Sequence, residues 1–161
     1  MLPEEMEAIS HLTKISSTSL NLEAISVVTN IYRIAQGLRN KMEREVLADY
    51  GLSWTAFSLL YDLLVWNSLE TKQLAKSSGV TKATVSNITN TLERKQLCYR
   101  SIDKKDKRKT FVTITEKGSQ VMRELYPVFH QGEVELASSL TKEEQTRMAG
   151  LLRRVIRHSK L

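Results

Sequence analysis

Two neighbouring stretches of this 161-residue chain carry side chains suited to contact with a polyanion. The first, over 81–91, combines one lysine with small hydroxyl and amide side chains and contains no carboxylate. Amides and hydroxyls hydrogen-bond base edges in the major groove, whereas lysine mainly pairs with phosphate. A plain solvated helix usually alternates Glu and Lys, so this composition favours contact with DNA. The candidate contact residues are Thr81, Lys82, Ala83, Thr84, Ser86, Asn87 and Asn90.

The second stretch is a run of seven charged residues, 103–109, five of which are basic. Such a run is ordinarily just a solvated loop. Its position, directly after the candidate recognition segment, favours a second contact with the nucleic-acid backbone. The candidate residues in this loop are Lys104, Lys105, Asp106, Lys107, Arg108 and Lys109.

The net charge of the chain supports the same interpretation. The sequence carries a formal charge of +6 at pH 7. Between Thr81 and Thr110 there are nine Lys or Arg and three Asp or Glu, so this segment alone carries +6. The other residues sum to zero. The excess positive charge therefore lies within 81–110, the segment that contains both candidate stretches, as expected for a surface that binds a polyanion.

The pattern around these stretches predicts a helix-turn-helix. Thr71 is in position to cap a short helix that extends to Ser77, and Gly79 suits the left-handed turn that follows it. The second helix then buries an apolar side formed by Val80, Val85, Ile88 and Leu92. Two alternating segments, 97–102 and 110–115, predict antiparallel strands on either side of the charged loop. The predicted fold is therefore mainly α-helical with a small β-hairpin, or wing, beside a helix-turn-helix.

The flanking segments predict long helices that form a dimer interface. Apolar residues recur every three or four positions from Asn21 to Asp49, which corresponds to a helix about 43 Å long. A compact chain of this size has a radius of gyration of only roughly 15 Å, so the helix favours a partner outside one core. Three later helices each follow a residue that can cap them, namely Ser53, Thr115 and Thr141, and Thr141 with Glu144 has the spacing of a capping box. The last helix carries a strong apolar stripe: Met148, Leu151, Leu152, Val155 and Ile156. We therefore predict an N-terminal arm and dimerisation helix over 1–50, a DNA-binding domain over 51–116 and C-terminal dimerisation helices over 117–161.

The order of these elements, with several short motifs, resembles the MarR (multiple-antibiotic-resistance regulator) family of bacterial transcription factors. The resemblance extends from about Asn21 to the end of the chain. The motifs that carry it are Gln73-Leu74-Ala75, Gly79-Val80-Thr81-Lys82-Ala83-Thr84-Val85-Ser86, Leu92-Glu93-Arg94-Lys95-Gln96-Leu97, Asp103-Lys104-Lys105-Asp106-Lys107-Arg108 and Ile114-Thr115-Glu116-Lys117-Gly118. The family's wing commonly has Arg where this chain has Lys105, which keeps the charge but lacks the planar guanidinium fork.

The resemblance implies a homodimeric repressor that binds a pseudopalindromic double-stranded DNA operator. It also implies that Arg108 reaches the minor groove and is oriented by Asp106. A third implication is a pocket for a small aromatic effector, to which five aromatic residues could contribute or, alternatively, serve as ordinary core. These residues are Tyr32, Trp54, Phe57, Trp66 and Tyr126.

Other chemistries find little support in the sequence. No nucleophile has an identifiable base, and no phosphate-binding glycine loop is present, so we expect neither an enzyme nor a cofactor. The three histidines, His11, His130 and His158, are far apart and form no metal-ligand motif. The single Cys98 favours packing over redox sensing and fits a reducing cytoplasm. No run approaches the roughly 18 apolar residues of a membrane-spanning helix.

One alternative from another class remains open at this stage. A winged helix can also bind a protein or RNA. Neutral wings and acidic recognition helices would favour a protein partner, and this chain has the opposite charge. Duplex RNA attracts positive charge just as DNA does.

Overall fold

A computed structural model describes residues 2–159 of the chain. Within these residues seven α-helices and three strands follow in the order α1 (Pro3–Ile15), α2 (Leu22–Met42), α3 (Trp54–Trp66), β1 (Ser68–Glu70), α4 (Thr71–Ser77), α5 (Lys82–Arg94), β2 (Cys98–Ile102), β3 (Thr110–Ile114), α6 (Glu116–Ala137) and α7 (Lys142–Ser159). The chain divides into two compact units at the Lys41–Met42 peptide bond. The predicted fold class, mainly α-helical with a small β wing, is confirmed.

The first unit contains α1 and almost all of α2. Its buried residues include Ile9 and, unusually, the carboxylate of Glu5. The Glu5 carboxylate is satisfied because it accepts hydrogen bonds from the Leu2 backbone N–H at 2.8 Å and the Asn30 side-chain amide at 2.5 Å. These donors, the Leu2 N–H first, lower the pKa of Glu5 and so stabilise its charged form.

The long helix predicted over 21–49 is not one regular α-helix. After Met42 the path widens into a π-helical turn, Glu43–Leu47, and then tightens into a 3₁₀ turn, Ala48–Tyr50, before Gly51 ends it with φ +58°. A π turn shifts the side-chain register, which buries Val46 and Leu47 in the second unit. Glu43 anchors this turn, because its Oε1 accepts from the Trp54 N–H at 2.7 Å.

The second unit is built around α3, which is apolar on several sides. Ser53 caps α3 as predicted, accepting from the Ala56 N–H at 3.3 Å. The buried side chains Leu59, Leu60 and Leu63 of α3 share the core with residues from α4, α5, β3 and α6. These are Leu74, Val85, Leu92, Val112, Met122 and Leu125.

The hairpin predicted over 97–115 is present, and a third strand joins it. β3 lies in the middle of an antiparallel sheet with the order β1-β3-β2. Ser68 pairs with Thr113 and Glu70 with Phe111, whereas Cys98 pairs with Ile114. The sequence analysis missed β1 because its three residues are too few to show alternation.

The cap of α4 is also different from the prediction. Glu70 occupies the N-cap position, and its backbone N–H donates to the Gln73 side chain at 2.9 Å. Thr71 is the first helical residue instead. Its hydroxyl donates to the Thr110 carbonyl at 3.0 Å, a contact that the strand pairing of β1 with β3 creates.

Two predicted caps position the C-terminal helices. Thr115 begins α6 by accepting from the Gly118 N–H at 3.0 Å. Thr141 and Glu144 form the predicted capping box of α7, with reciprocal bonds of 2.8 and 3.3 Å. In the described chain α7 buries none of its side chains, so its apolar stripe is accessible.

Candidate nucleic-acid interface

Helix α5, the recognition helix, is positioned by the turn that precedes it. Gly79 adopts φ +63°, and the Val80 N–H donates to the Ala75 carbonyl at 3.0 Å, which closes the turn after α4. Thr81 then caps α5 by accepting from the Thr84 N–H at 3.1 Å. Fully buried Val85 and Leu92 anchor the helix to the core. The helix-turn-helix predicted from the sequence is therefore present.

The opposite side of the recognition helix is the surface that the sequence analysis proposed for DNA. Lys82, Ala83, Asn87 and Asn90 are exposed, as is Thr81, whereas Thr84 and Ser86 are half-buried. The Thr81 and Thr84 hydroxyls lie 2.9 Å apart and hydrogen-bond each other, so part of their capacity is already used. This surface displays amide, hydroxyl and ammonium groups without a carboxylate over 81–91.

A charged network joins the last turns of the recognition helix to β2. The Arg100 guanidinium donates to Glu93 Oε2 through Nε at 3.0 Å and Nη2 at 2.5 Å, and the Arg100 backbone N–H donates to Glu93 Oε1 at 2.7 Å. Arg100 Nη2 also donates to Asn90 Oδ1. The Arg100 guanidinium holds the pKa of Glu93 below its ordinary value. Sequence reasoning missed this network because it joins residues on different elements.

The loop 103–109 between β2 and β3, the wing loop, is ordered by its two aspartates. Asp103 Oδ1 accepts from the backbone N–H groups of Lys105 at 2.8 Å and Asp106 at 2.7 Å. The Asp106 carboxylate in turn accepts from the Arg108 guanidinium through Nε at 3.0 Å and Nη2 at 3.3 Å. The pKa values of both aspartates are lowered, that of Asp103 by backbone donors and that of Asp106 chiefly by Arg108.

Arg108 therefore extends from the wing with its orientation partly set. Its side chain is 91% exposed although it is paired with Asp106. Lys104, Lys105, Lys107 and Lys109 are exposed around it, whereas Asp106 is half-buried. The two aspartate carboxylates accept hydrogen bonds within the loop, whereas the lysines and Arg108 are exposed to solvent. The wing therefore has a positive surface.

A cleft of about 220 Å³ lies between the recognition helix and the wing. Cationic side chains dominate its lining, together with hydroxyl groups. The lining residues are Glu70, Thr71, Lys72, Lys82, Ser86, Thr89, Arg100, Arg108 and Thr110. Thr89 is only 1% exposed, and its hydroxyl has no hydrogen-bond partner among the described residues. Of these residues, the sequence analysis named only Lys82, Ser86 and Arg108 as candidate contacts.

The predicted aromatic residues are only partly brought together. The Phe57 and Phe129 rings stack at 4.2 Å between centroids, and Trp54 lies 5.8 Å from Phe129. Tyr126 lies 6.5 Å from Phe129 and 5.6 Å from Tyr61, so this cluster joins α3 to α6. Sequence reasoning named neither Phe129 nor Tyr61 for this site.

The remaining two aromatic candidates are solvent-facing in the chain. Trp66, at the end of α3, and Tyr32, in the first unit, are each 67% exposed. The cluster on α3 and α6 is therefore built from Trp54, Phe57 and Tyr126 with two partners from the same helices.

Other chemistry has little support in the part of the chain that the structure describes. Residues 2–159 contain no group of three or more His, Cys, Asp or Glu side chains that could hold a metal ion. His130 pairs instead with Glu133 at 2.9 Å. Cys98 is 3% exposed, and burial raises the pKa of its thiol to about 12, so the reactive thiolate is not formed near neutral pH. No helix in the described range is long and apolar enough to span a membrane.

A helix-turn-helix with a cation-rich wing and an acid-free recognition surface defines a winged helix DNA-binding protein. The sequence pattern of the MarR family matches residues 52–110. The chain is also 56% identical over 152 residues to the HTH-type transcriptional regulator YwaE of Bacillus subtilis (strain 168), covering 94% of this chain and 89% of that protein. The chain belongs to the MarR family of DNA-binding transcriptional regulators and is not an enzyme.

More distant relatives agree with this assignment. MhqR of B. subtilis (strain 168), an HTH-type transcriptional regulator, is 28% identical over 139 residues, which cover 86% of this chain and 92% of MhqR. The S. aureus MepR–DNA complex matches with a TM-score of 0.73 and 27% identity over 83% of this chain and 97% of that one. Sco3205 of Streptomyces coelicolor, a MarR family regulator solved in complex with DNA, shares the fold with a TM-score of 0.76 at 24% identity, covering 88% and 90% of the two chains.

Proposed function

We propose that this regulator is a cytoplasmic transcriptional repressor. It acts as a homodimer that binds a pseudopalindromic operator in double-stranded DNA. The observation that carries the proposal is the adjacency of two positive surfaces, the exposed side of α5 and the wing loop, across one cleft. A recognition helix in the major groove places the wing beside the phosphate backbone and the adjacent minor groove. In this arrangement Thr81, Lys82, Ala83, Thr84, Ser86, Asn87 and Asn90 face base edges and phosphates. Lys104, Lys105, Lys107, Arg108 and Lys109 supply charge, and Asp106 orients Arg108.

The dimer is supported by apolar side chains that one chain leaves accessible. Met148, Leu151, Val155 and Ile156 form one exposed stripe on α7, with Leu152 half-buried beside them. Helix α2 also exposes Val28 and Ile31 among other apolar residues. Amphipathic helices of this kind are stable when the stripe is covered. We assign residues 1–50 and 117–161 to the dimer frame and 51–116 to DNA binding.

Dimerisation has a direct test in α7. Leu151→Glu places a charge within the stripe, whereas Thr146→Glu adds the same charge on the polar side of the same helix. We expect Leu151→Glu to give a monomer by light scattering and to lose most of its operator affinity, while Thr146→Glu remains dimeric. A dimeric Leu151→Glu protein with undiminished affinity would refute the proposed interface.

The DNA target is tested by selection from random duplexes, followed by titration with duplex RNA of the same length and charge. A recovered two-fold-related motif, bound far more tightly than RNA, is the expected result. Equal affinity for RNA, or no enriched motif, would contradict an operator-binding role. Reporter expression from the selected operator, with and without the regulator, then tests repression.

A small aromatic effector is the second part of the proposal. The cluster of Trp54, Phe57 and Tyr126 supports it, because stacked rings provide flat apolar surfaces for another ring. Tyr32 and Trp66 are further candidates, since they are exposed. Titration of aromatic acids should quench Trp54 or Trp66 fluorescence and release the operator in the same concentration range. A broad panel that does neither would leave the cluster as core packing alone.

A further inference from the structure

The two asparagines of the recognition helix differ in what they can offer to a base. Asn90 Oδ1 accepts a hydrogen bond from Arg100 Nη2. Arg100 is itself held by Glu93, whose carboxylate accepts hydrogen bonds from the Arg100 Nε, Nη2 and backbone N–H. Asn87, one turn earlier on the same helix, is exposed, and its side-chain amide has no hydrogen-bond partner within residues 2–159.

The orientation of the Asn90 amide follows from chemistry alone. A guanidinium has five N–H donors and no acceptor, so the amide atom facing Arg100 must be the oxygen and not the nitrogen. The NH₂ group then points away from Arg100. Glu93 prevents Arg100 from turning aside, because its carboxylate holds two guanidinium nitrogens and the backbone of β2.

An asparagine recognises adenine by a paired contact in which the oxygen accepts from N6 and the nitrogen donates to N7. Asn87 retains both atoms for such a contact. Asn90 already uses one of the two lone pairs of its oxygen on a cation, whereas both of its N–H donors are unused. The base edges that offer acceptors without an N6 donor beside them are guanine N7 and O6 and thymine O4, whereas adenine offers N7 next to its N6 donor.

We propose that Asn90 acts mainly as a hydrogen-bond donor and favours guanine or thymine, and that Glu93 and Arg100 are the positioning residues that shift its preference away from adenine. The inference rests on the proposed function, since it requires α5 to enter the major groove. It goes beyond that function because it assigns opposite base preferences to two identical side chains on one helix.

The test begins with operators selected for the full-length wild type and for Asn90→Ala and Asn87→Ala. The base pair whose selectivity Asn90→Ala removes is the Asn90 position. We expect guanine or thymine there, with about 3- to 10-fold discrimination over adenine, the range of one net hydrogen bond. Replacing the selected guanine by 7-deazaguanine, or the selected thymine by 4-thiothymine, weakens or removes a base acceptor. This replacement should lower the affinity of the wild type by most of the same factor and leave the affinity of Asn90→Ala unchanged.

Two variants should change which base is preferred at the Asn90 position. Asn90→Asp is acceptor-only and should move the selected base to one with a donor, cytosine or adenine. Arg100→Leu frees the Asn90 oxygen and should admit adenine at that position, while Asn90→Ala/Arg100→Leu should show no preference. Each readout is a ratio of affinities within one protein, so a general loss of binding or stability cancels.

The outcomes distinguish a failure of the inference about Asn90 from a failure of the proposed function. An operator with adenine at the Asn90 position, or one in which Asn90→Ala changes no base preference, overturns the inference and leaves the proposed function intact. Unchanged discrimination in both Asn90→Asp and Arg100→Leu also overturns it. Failure to select any operator with the wild type contradicts the proposed function and, with it, the inference.

Discussion

Gly118, in the first turn of α6, approaches the backbone of Leu97 so closely that a side chain would collide with it. A Cβ at Gly118 would lie 2.1 Å from the Leu97 carbonyl oxygen and 2.9 Å from Ile114 Cγ1. The same carbonyl accepts from the Thr115 N–H at 3.0 Å, so α6 is joined directly to the residue that precedes β2. This contact fixes the base of the wing against the helix that follows it.

Three glycines should therefore respond to alanine in graded order. Gly118→Ala meets backbone and should lower the free energy of unfolding by about 3 kcal/mol or more. Gly132→Ala meets the flexible end of Met42, 1.8 Å from its Cε, and should cost about 1–2 kcal/mol. Gly37→Ala meets nothing within 4 Å on α2 and should stabilise by roughly 0.5–1 kcal/mol. Urea unfolding of the three variants checks the order, and a mild Gly118→Ala would contradict it.

Gln96 connects α5 to β2 in a backbone conformation that favours glycine. Its φ is +62°, which costs a residue with a Cβ roughly 1–2 kcal/mol. Gln96→Gly should raise the free energy of unfolding by about 0.5–1 kcal/mol, once the greater freedom of glycine in the unfolded chain is subtracted. Gln96→Ala keeps the strained φ and is the matched control. Equal stability of the Gly and Ala variants would show that the backbone is not strained there.

The wing lysines should contribute to affinity through released counterions. Lys104→Ala and Lys107→Ala should each weaken operator binding and lower the slope of log affinity against log salt by roughly 0.9 per lost phosphate contact. Lys142→Ala, an exposed lysine at the start of α7, is the control and should leave the slope unchanged. Fluorescence anisotropy between low and physiological salt gives these slopes, and unaltered slopes in both wing variants would exclude the wing from the interface.

Asp106 should matter for the orientation of Arg108 and not for charge. Asp106→Asn makes the wing more positive, yet it weakens the two-nitrogen contact with Arg108. We expect operator affinity to fall about two- to fivefold, as for an exposed ion pair, while affinity for non-specific duplex is unchanged or higher. A parallel rise in both affinities would mean that charge alone acts at this position.

Glu93 should make stability depend on pH. Its pKa in the folded protein is lowered from 4.5, so its contact with Arg100 is stabilising above about pH 4.5 and is lost as pH falls through the folded value. Glu93→Gln should therefore be less stable near neutral pH by about 0.5–1 kcal/mol, a reduced figure because both side chains are about a third exposed. The two proteins should converge in acid. Denaturant unfolding from pH 7 to 3 tests this, and a constant difference would exclude the linkage.

The fold was largely predictable because its signals are local. The caps at Ser53, Thr115 and Thr141 form as the sequence analysis predicted, and so does the left-handed turn at Gly79. Each depends on residues within one or two turns of one another. The cap of α4 was predicted wrongly for the opposite reason. Thr71 takes a partner 39 residues away, so its role depends on strand pairing.

The candidate site likewise combines features with local sequence signals and features that only the packing of distant segments creates. Residue type and spacing were enough to select the exposed polar side of α5 and the wing loop, since both stretches are continuous in the chain. Arg100 could not be singled out in this way, because its effect on Asn90 requires β2 to lie beside the end of α5. The aromatic cluster was only half predicted, since Phe129 and Tyr61 meet Phe57 and Tyr126 through the packing of α3 against α6.

The sequence by itself determined the order of the main helices and the two hairpin strands, the position of the positive charge and the acid-free recognition surface. Periodicity and charge are properties of neighbouring residues, and so are the caps that formed as predicted, whereas the cap of α4 depended on strand pairing. The tertiary structure decided which polar atoms on that surface remain available. Asn87 and Asn90 are the same residue type on one helix, yet only Asn90 lies against the guanidinium of Arg100 from another element. Hydrogen-bonding capacity is consumed by whichever partner the fold brings near, and that pairing is a property of the packed chain.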